Sequence, residues 1–272
     1  MSHTPPYLND SLRWVAAEIR YPPVDDLVGG ASAEFRDDIR DEFPIREEQP
    51  QLSLSIGQTG PTAQQVLVHR FVRRDRLMSV TVGRDAIRLE ATDYPGWTDF
   101  RERLVRVLQA LQDRSRPDGV VRVGLRYIDE IRLPDEPNSP SEWQGWVDDR
   151  LVAPFTMDND PPLNNGTIVL QYGEAPGNVT IFRAGPLKEG RAVQLEGPLG
   201  TPFKTPAGAF FLLDTDASWA DPTGKVPEFA TGRIVEVLDE LHGSCHRLFE
   251  ASITDRLRQE ILSRPREEVW GT

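Results

Sequence analysis

The densest chemistry in the chain is one stretch, Arg126-Tyr127-Ile128-Asp129-Glu130-Ile131-Arg132. As a strand it alternates, so Leu125, Tyr127, Asp129 and Ile131 share one face while Arg126, Ile128, Glu130 and Arg132 share the other. One of those faces must set charge beside a core. Glu18 and Arg20 repeat the pattern near the N-terminus. Two readings follow. The first is a cross-strand ladder of ion pairs, which adds little stability because desolvation offsets much of the attraction. The second is a polar pocket, formed with Tyr127, Asp129 and Glu130, in which Arg20 or Arg126 holds an anionic ligand group. The ladder is the favoured reading.

Three other groupings could carry chemistry. Arg70, Arg73, Arg74 and Arg76 surround Phe71 at a hairpin end, where guanidiniums could meet phosphates and the ring could stack on a base. Asp75 and Asp85 dilute that cluster, and a solvated tip is the simpler expectation. His242 and His246 stand four apart on a helix with Cys245 between them, the spacing of a zinc site. Gly243-Ser244 occupies the place where the metalloprotease helix carries its glutamate, so hydrolysis is not expected there. Cys245 is in register with Leu238, Leu241 and Leu248, which predicts a buried thiol. Asp214 and Asp216, with Asp93 in a matching place, could hold Mg²⁺. Their recurrence before both long helices favours a loop-capping role instead. There is no nucleophile elbow, phosphate loop or dinucleotide fingerprint. No catalytic residue, metal or cofactor is expected, and the reading leans away from an enzyme without excluding an unfamiliar one.

These residues sit in 272 residues that are 38% hydrophobic and 27% charged, with a net charge of −12. That balance argues against a general polyanion binder, which needs clustered cations. All the basic residues except Lys188, Lys204 and Lys225 are arginine. The single cysteine excludes an internal disulfide framework. No apolar run approaches the ~18 residues of a membrane span. The start, Met1-Ser2-His3-Thr4-Pro5-Pro6, lacks the features of a secretory signal, so the expectation is cytoplasmic.

The elements that must position these groups come in two similar passes. Strand 12–21 is followed by a helix over 33–43, which Ser32 caps and on which Phe35, Ile39 and Phe43 recur every four residues. Short alternating segments 51–56, 65–72, 77–82 and 86–92 predict an antiparallel meander. A long helix over 97–112 carries Phe100, Leu104, Val107, Leu108 and Leu111 on one face. Then come strand 120–133, a helix over 142–152, strands 167–172 and 178–183, a weak candidate at 192–195, strand 209–214, and a helix over 228–262 with an interruption near Gly243. Glu18-Ile19-Arg20-Tyr21-Pro22 parallels Glu130-Ile131-Arg132-Leu133-Pro134. The long helices match as Leu104-Val105-Arg106-Val107-Leu108 and Ile234-Val235-Glu236-Val237-Leu238. The reading is α+β: two tandem β-α-(β)3–4-α halves, 10–118 and 119–264, with tails at 1–9 and 265–272. Curved antiparallel sheets would pack on the long helices in a saddle-shaped or helix-grip manner.

With these residues assembled, the chain resembles a sporadically distributed family of uncharacterised bacterial proteins. The resemblance rests on residues 14–23, on Leu89-Glu90-Ala91-Thr92-Asp93-Tyr94, on 248–255 and above all on Gly124-Leu125-Arg126-Tyr127-Ile128. Asp129 stands where that pattern is expected to carry Asn. The resemblance implies no activity; its sporadic distribution suits an accessory role of an antitoxin-like or defence kind. The leading expectation is therefore a non-catalytic interaction protein that offers a sheet face to a protein partner. Trp14, Trp97, Trp143, Trp146 and Trp219 would be its anchors. A binder of a small anionic molecule, or an enzyme acting on one, would instead use Arg20, Arg126 and Tyr127 around a cavity between sheet and helix. A nucleic-acid binder would use the 69–76 hairpin.

Overall fold

The strand β1 (Leu12–Arg20) alternates strictly at its centre, sending Val15, Ala17 and Ile19 to one side and Trp14, Ala16, Glu18 and Arg20 to the other. The computed structural model describes residues 7–27, 32–57, 60–157, 163–173, 175–193, 199–202 and 206–271. Both edges of β1 are used. The strand β5 (Ala86–Ala91) pairs with one edge and β6 (Arg122–Ile131) with the other. Outward from β5 lie β4 (Met78–Val82), β3 (Gly60–Val72) and β2 (Ile45–Gly57). Outward from β6 lie β9 (Phe210–Trp219), β8 (Asn178–Leu187) and β7 (Ile168–Tyr172). Every neighbouring pair is antiparallel, so the protein is mixed α+β, and its described residues form a nine-stranded antiparallel sheet.

The described helices are α1 (Ala33–Ile39), α2 (Trp97–Ser115), α3 (Asp149–Val152), α4 (Thr231–Ser252), α5 (Asp255–Leu257) and α6 (Arg266–Trp270). The stripe predicted on α2, from Phe100 to Leu111, joins Ile234, Leu238, Leu241 and Cys245 of α4 in one core with Val15, Ile19, Leu89 and Leu125 of the sheet. A second cluster, around Trp143, Val147, Phe211, Leu213 and Leu257, fills the space beside the far end of β6. Burying these side chains contributes about 1.5–3 kcal/mol each before conformational entropy is set against it.

Several local expectations change. The helix over 142–152 is instead a 3-10 turn (Pro140–Trp143) and the short α3. Gly145 between them has φ +77°, which an α-helix cannot contain, and Val147 forms a bridge with Ile253. Asp148 then caps α3 by accepting from the Arg150 N–H. The last long helix is continuous through Gly243, because Leu241 and Cys245 on either side are both buried and their packing outweighs glycine's ~1 kcal/mol propensity cost. It breaks at Ile253, after which Thr254 caps α5. The first helix stops at Ile39, although Phe43 is buried as the stripe predicts. The candidate strand at 192–195 is no strand at 192–193, and its remainder lies outside the described residues. Nor are the described ends loose. The Asn9 N–H donates to the Leu262 carbonyl, and the Trp270 indole donates to the Asn9 side chain at 3.3 Å.

The strands β2 and β3 are longer than their sequence segments suggest. They pair with each other from Ile45↔Val72 to Gly57↔Gly60, whereas β4 pairs with β3 only over His69–Val72. The rest is a two-stranded ribbon. At the other end of the sheet, Gly185 lies against the backbone of Gly166: a Cβ there would sit 2.1 Å from the Gly166 carbonyl oxygen. Gly185→Ala is expected to cost roughly 1–3 kcal/mol in urea unfolding. Gly232→Ala, with nothing within 4 Å of its added carbon, should not destabilise.

Candidate functional site

The pleat of β6 divides the chemistry in the way its alternation predicts. On the helix side, the Tyr127 hydroxyl lies 3.1 Å from that of Tyr94 and 3.0 Å from His242 Nδ1. The His242 ring stacks on Trp97 at 4.5 Å, and the Trp97 indole donates to Asp239 at 2.8 Å. Arg101 of α2 grips the same carboxylate through two nitrogens. This chain of contacts ties α2 to α4 and both helices to β6. Burial, with the neighbouring His246 adding to it, lowers the His242 pKa to about 4. Asp129 accepts from the Ser11 hydroxyl at 2.9 Å, and burial followed by the charge of Asp10 raises its pKa to about 8. It is therefore a neutral acid at pH 7. The space between the sheet and the two long helices is filled by Val107, Leu108, Leu125, Val237 and Leu241, so the expected cavity there gives way to packed core among the described residues.

The face turned away from α2 and α4 is different. Glu18 accepts from Arg20 Nε at 2.8 Å and Arg88 Nε at 3.1 Å. Asp214 accepts two bonds from Arg126, at 2.8 and 2.7 Å, and one from Arg183 at 3.2 Å. Arg122 stands 3.8 Å from Glu18 and 3.6 Å from Asp216, beyond hydrogen-bonding range of both. Its guanidinium lies over Gly124, where a Cβ would meet Nη1 at 2.8 Å. Two of the carboxylates are recessed beneath more exposed guanidiniums: Asp214 and Glu18 are 5% and 14% exposed, against 53% for Arg20 and 41% for Arg88, whereas Asp216 at 26% is nearly level with Arg122 at 34%. Burial works to raise the Glu18 pKa, but Arg88 and Arg20 outweigh it and hold it below the ordinary value. The bonds to Asp214 raise Arg126 further above its usual range.

The segment after β8 crosses one end of this face. The Ala192 N–H donates to Glu130, Arg132 donates to the Gly190 and Gly208 carbonyls, and the Gly200 N–H donates to the Arg76 carbonyl. Glu130 and Arg132, each 2% exposed in their side chains, form a buried pair beneath it.

The five residues expected to form one ligand pocket are thus not brought together. Arg20 and Arg126 share the open face, Glu130 is buried under the crossing segment, and Tyr127 and Asp129 lie on the opposite side of the sheet. The pleat allows no other arrangement, since residues of opposite parity on a strand point apart. The sequence reading missed Arg88, Arg122 and Arg183. Parity places Arg122 with Arg126, but only strand pairing brings Arg88 and Arg183 beside Glu18 and Asp214.

The basic hairpin does not present four free cations. Arg70 is 3% exposed and bonds to Ser79 at 3.0 Å and Glu90 at 2.6 Å. Arg73 bonds to Asp75 and Asp93, and Arg76 to Glu47; Arg74 is exposed. Asp93 lies past the end of β5 on Arg73, whereas Asp214 and Asp216 lie under the arginines of the open face. Cys245 is buried, as its register predicts, and is in no disulfide. Among the described residues, no group of three or more His, Cys, Asp or Glu could hold a metal ion. Four of the five tryptophans are already engaged within the chain, and the fifth, Trp219, is partly buried against the main core. Trp143 is core, Trp97 and Trp14 donate to Asp239 and Glu90, and Trp146 lies under the Arg256 guanidinium at 3.7 Å.

No family model matches the chain. No curated protein matches it either. Among solved structures, the di-domain ARO/CYC StfQ from the steffimycin biosynthetic pathway aligns over 89% of this chain and 98% of its own, at 11% identity and a TM-score of 0.17. Among the described residues, no helix is long and apolar enough to cross a membrane.

Proposed function

We propose that this chain is a non-catalytic interaction protein whose open sheet face receives an acidic segment of a partner protein. One observation carries the reading. Among the described residues, Arg20, Arg88, Arg122, Arg126 and Arg183 gather around Glu18, Asp214 and Asp216, with the charge of Asp85 also reaching Arg20, so five guanidiniums stand against four carboxylates on a chain whose net charge is −12. A local excess of positive charge against the sign of the whole molecule selects and orients an acidic partner. The recessed carboxylates fix the guanidiniums and so reduce the entropy lost when a ligand carboxylate docks.

The same reading takes the molecule as two tandem β-α-(β)3–4-α halves, 10–118 and 119–264, each sheet half closing on its long helix in a saddle or helix-grip manner. The support is topological. β1 and β6 pair at the centre, the last strand before each long helix (β5 and β9) lies directly beside them, and α2 and α4 follow in the same order. The open face is then shared by both halves, with Arg20 and Arg88 from the first and Arg122, Arg126 and Arg183 from the second.

The test is calorimetric titration of the full chain with a 20-residue polyglutamate peptide at low salt, with single-stranded DNA of equal length and inorganic phosphate as comparators. Polyglutamate is expected to bind best. Arg88→Gln with Arg122→Gln should weaken it by tenfold or more, since each charge-assisted contact is worth about 1.5–3 kcal/mol. DNA binding tighter than polyglutamate, or an unchanged affinity in the double variant, overturns the reading.

A further inference from the structure

The two edges of the sheet are guarded differently. At one edge, β2 begins Ile45-Arg46-Glu47-Glu48 and carries Pro50, the charges and proline by which proteins keep an edge strand from pairing with another chain. At the other edge, β7 reads Ile168-Val169-Leu170-Gln171-Tyr172, with no charge and no proline. No Asp, Glu, Lys or Arg occurs anywhere from 161 to 173. Its register with β8 is unbroken, so no bulge twists the edge away. Val169 is 61% exposed, Leu170 38% and Tyr172 36%. Among the described strands, β7 pairs with β8 alone.

We infer that β7 is the seam of a two-fold dimer in which it pairs, antiparallel, with β7 of a second copy. This is independent of the role given to the arginine face. The strand is complementary to itself. An axis through Leu170, normal to the sheet, sets Leu170 opposite its own copy, Ile168 opposite Tyr172 and Val169 opposite Gln171. Ile168, Leu170 and Tyr172 pair with Ala184, Phe182 and Thr180 of β8, which face the helices, so the apolar residues of both copies meet on that one side. A β-branched residue opposite an aromatic one is a favourable cross-strand pair. Two chains at −12 repel over most of their surfaces, and an uncharged edge is where they can approach. The interface is isologous, the commonest arrangement of homo-oligomers.

Sedimentation equilibrium of the full chain is expected to show a reversible dimer at tens of micromolar. Val169→Lys, at the most exposed position, should give a monomer and, at dilutions where the wild type is also monomeric, leave the melting temperature unchanged. In Leu170→Cys the two new thiols face each other across the axis, and mild oxidation should link the copies; Val169→Cys, offset by two residues from its own copy, should link far less. Hydrogen exchange at the amides of 168–172 should slow as concentration rises. A wild-type chain that stays monomeric to 200 µM (the top of the series) overturns the inference. So does a dimer that survives Val169→Lys, or a failure of Leu170→Cys to cross-link under conditions where the wild type is dimeric.

Discussion

Replacing Arg70 with methionine is expected to lower the unfolding free energy by about 3–5 kcal/mol, although sequence alone reads this residue as a surface cation. Its guanidinium is buried between Ser79 and Glu90, and Glu90 also accepts from Ser79 Oγ at 2.9 Å and from the Trp14 indole at 3.2 Å. The truncation leaves a largely buried carboxylate without its counter-charge. Restoring neutrality with Glu90→Leu in the same chain should recover much of the loss, because the pair, once gone, no longer carries a desolvation penalty. Arg74→Gln, on the same hairpin but exposed, should stay within about 0.5 kcal/mol of wild type. Urea midpoints of the four proteins check this, and an Arg70→Met variant within 1 kcal/mol of wild type would refute the buried-pair account.

Stability should fall as pH rises from about 6.5 to 8, and Asp129 is the main reason. Folded Asp129 keeps its proton up to about 8, while the unfolded residue releases it near 3.8. Between those values the folded state binds one proton more, so rising pH favours unfolding by about 1.4 kcal/mol per unit. His242 acts in the opposite sense. It is neutral in the folded state down to about 4 but protonates near 6.5 when unfolded, so its contribution is present above 6.5 and is lost as pH falls toward 4. From pH 4 to 6.5 the two nearly cancel. Above 6.5 only the Asp129 effect remains, a loss of about 2 kcal/mol by pH 8. Asp129→Asn should flatten the upper limb and expose the His242 rise below 6.5. Denaturation midpoints across pH 4–8 decide it; equal profiles for wild type and Asp129→Asn would exclude the assignment.

Elements with strong periodicity are legible in residue order alone. The stripes of α2 and α4 recur at helical spacing over many turns, so both their type and their buried faces follow from residue order, whereas β6 is buried on both faces over Ile128–Ile131 and its residue order does not say which face meets the core. The segment over 142–152 shows the limit. Trp143, Val147 and Leu151 keep helical spacing, but the bridge from Val147 to Ile253 connects residues about a hundred positions apart, and no local pattern records it. The open face has the same character. Residue types mark Arg20 and Arg126 as notable, but which carboxylate each meets, and that Arg88 and Arg183 join them, is set by strand order. Arg70 is the clearest case: its partner Glu90 lies on β5, with β4 between them, and a cluster of arginines in sequence became one buried ion pair and two capped surface pairs.

The central seam also governs how the molecule must be made. Ala16 of β1 cannot meet Arg126 of β6 until 110 further residues have been synthesised. At ~5–20 residues per second, the leading portion waits on the order of ten seconds on the ribosome with one flank of its middle strand bare. That interval is when the nascent chain is most exposed to sticking to its neighbours, and it ends only when the second portion arrives to cover the strand.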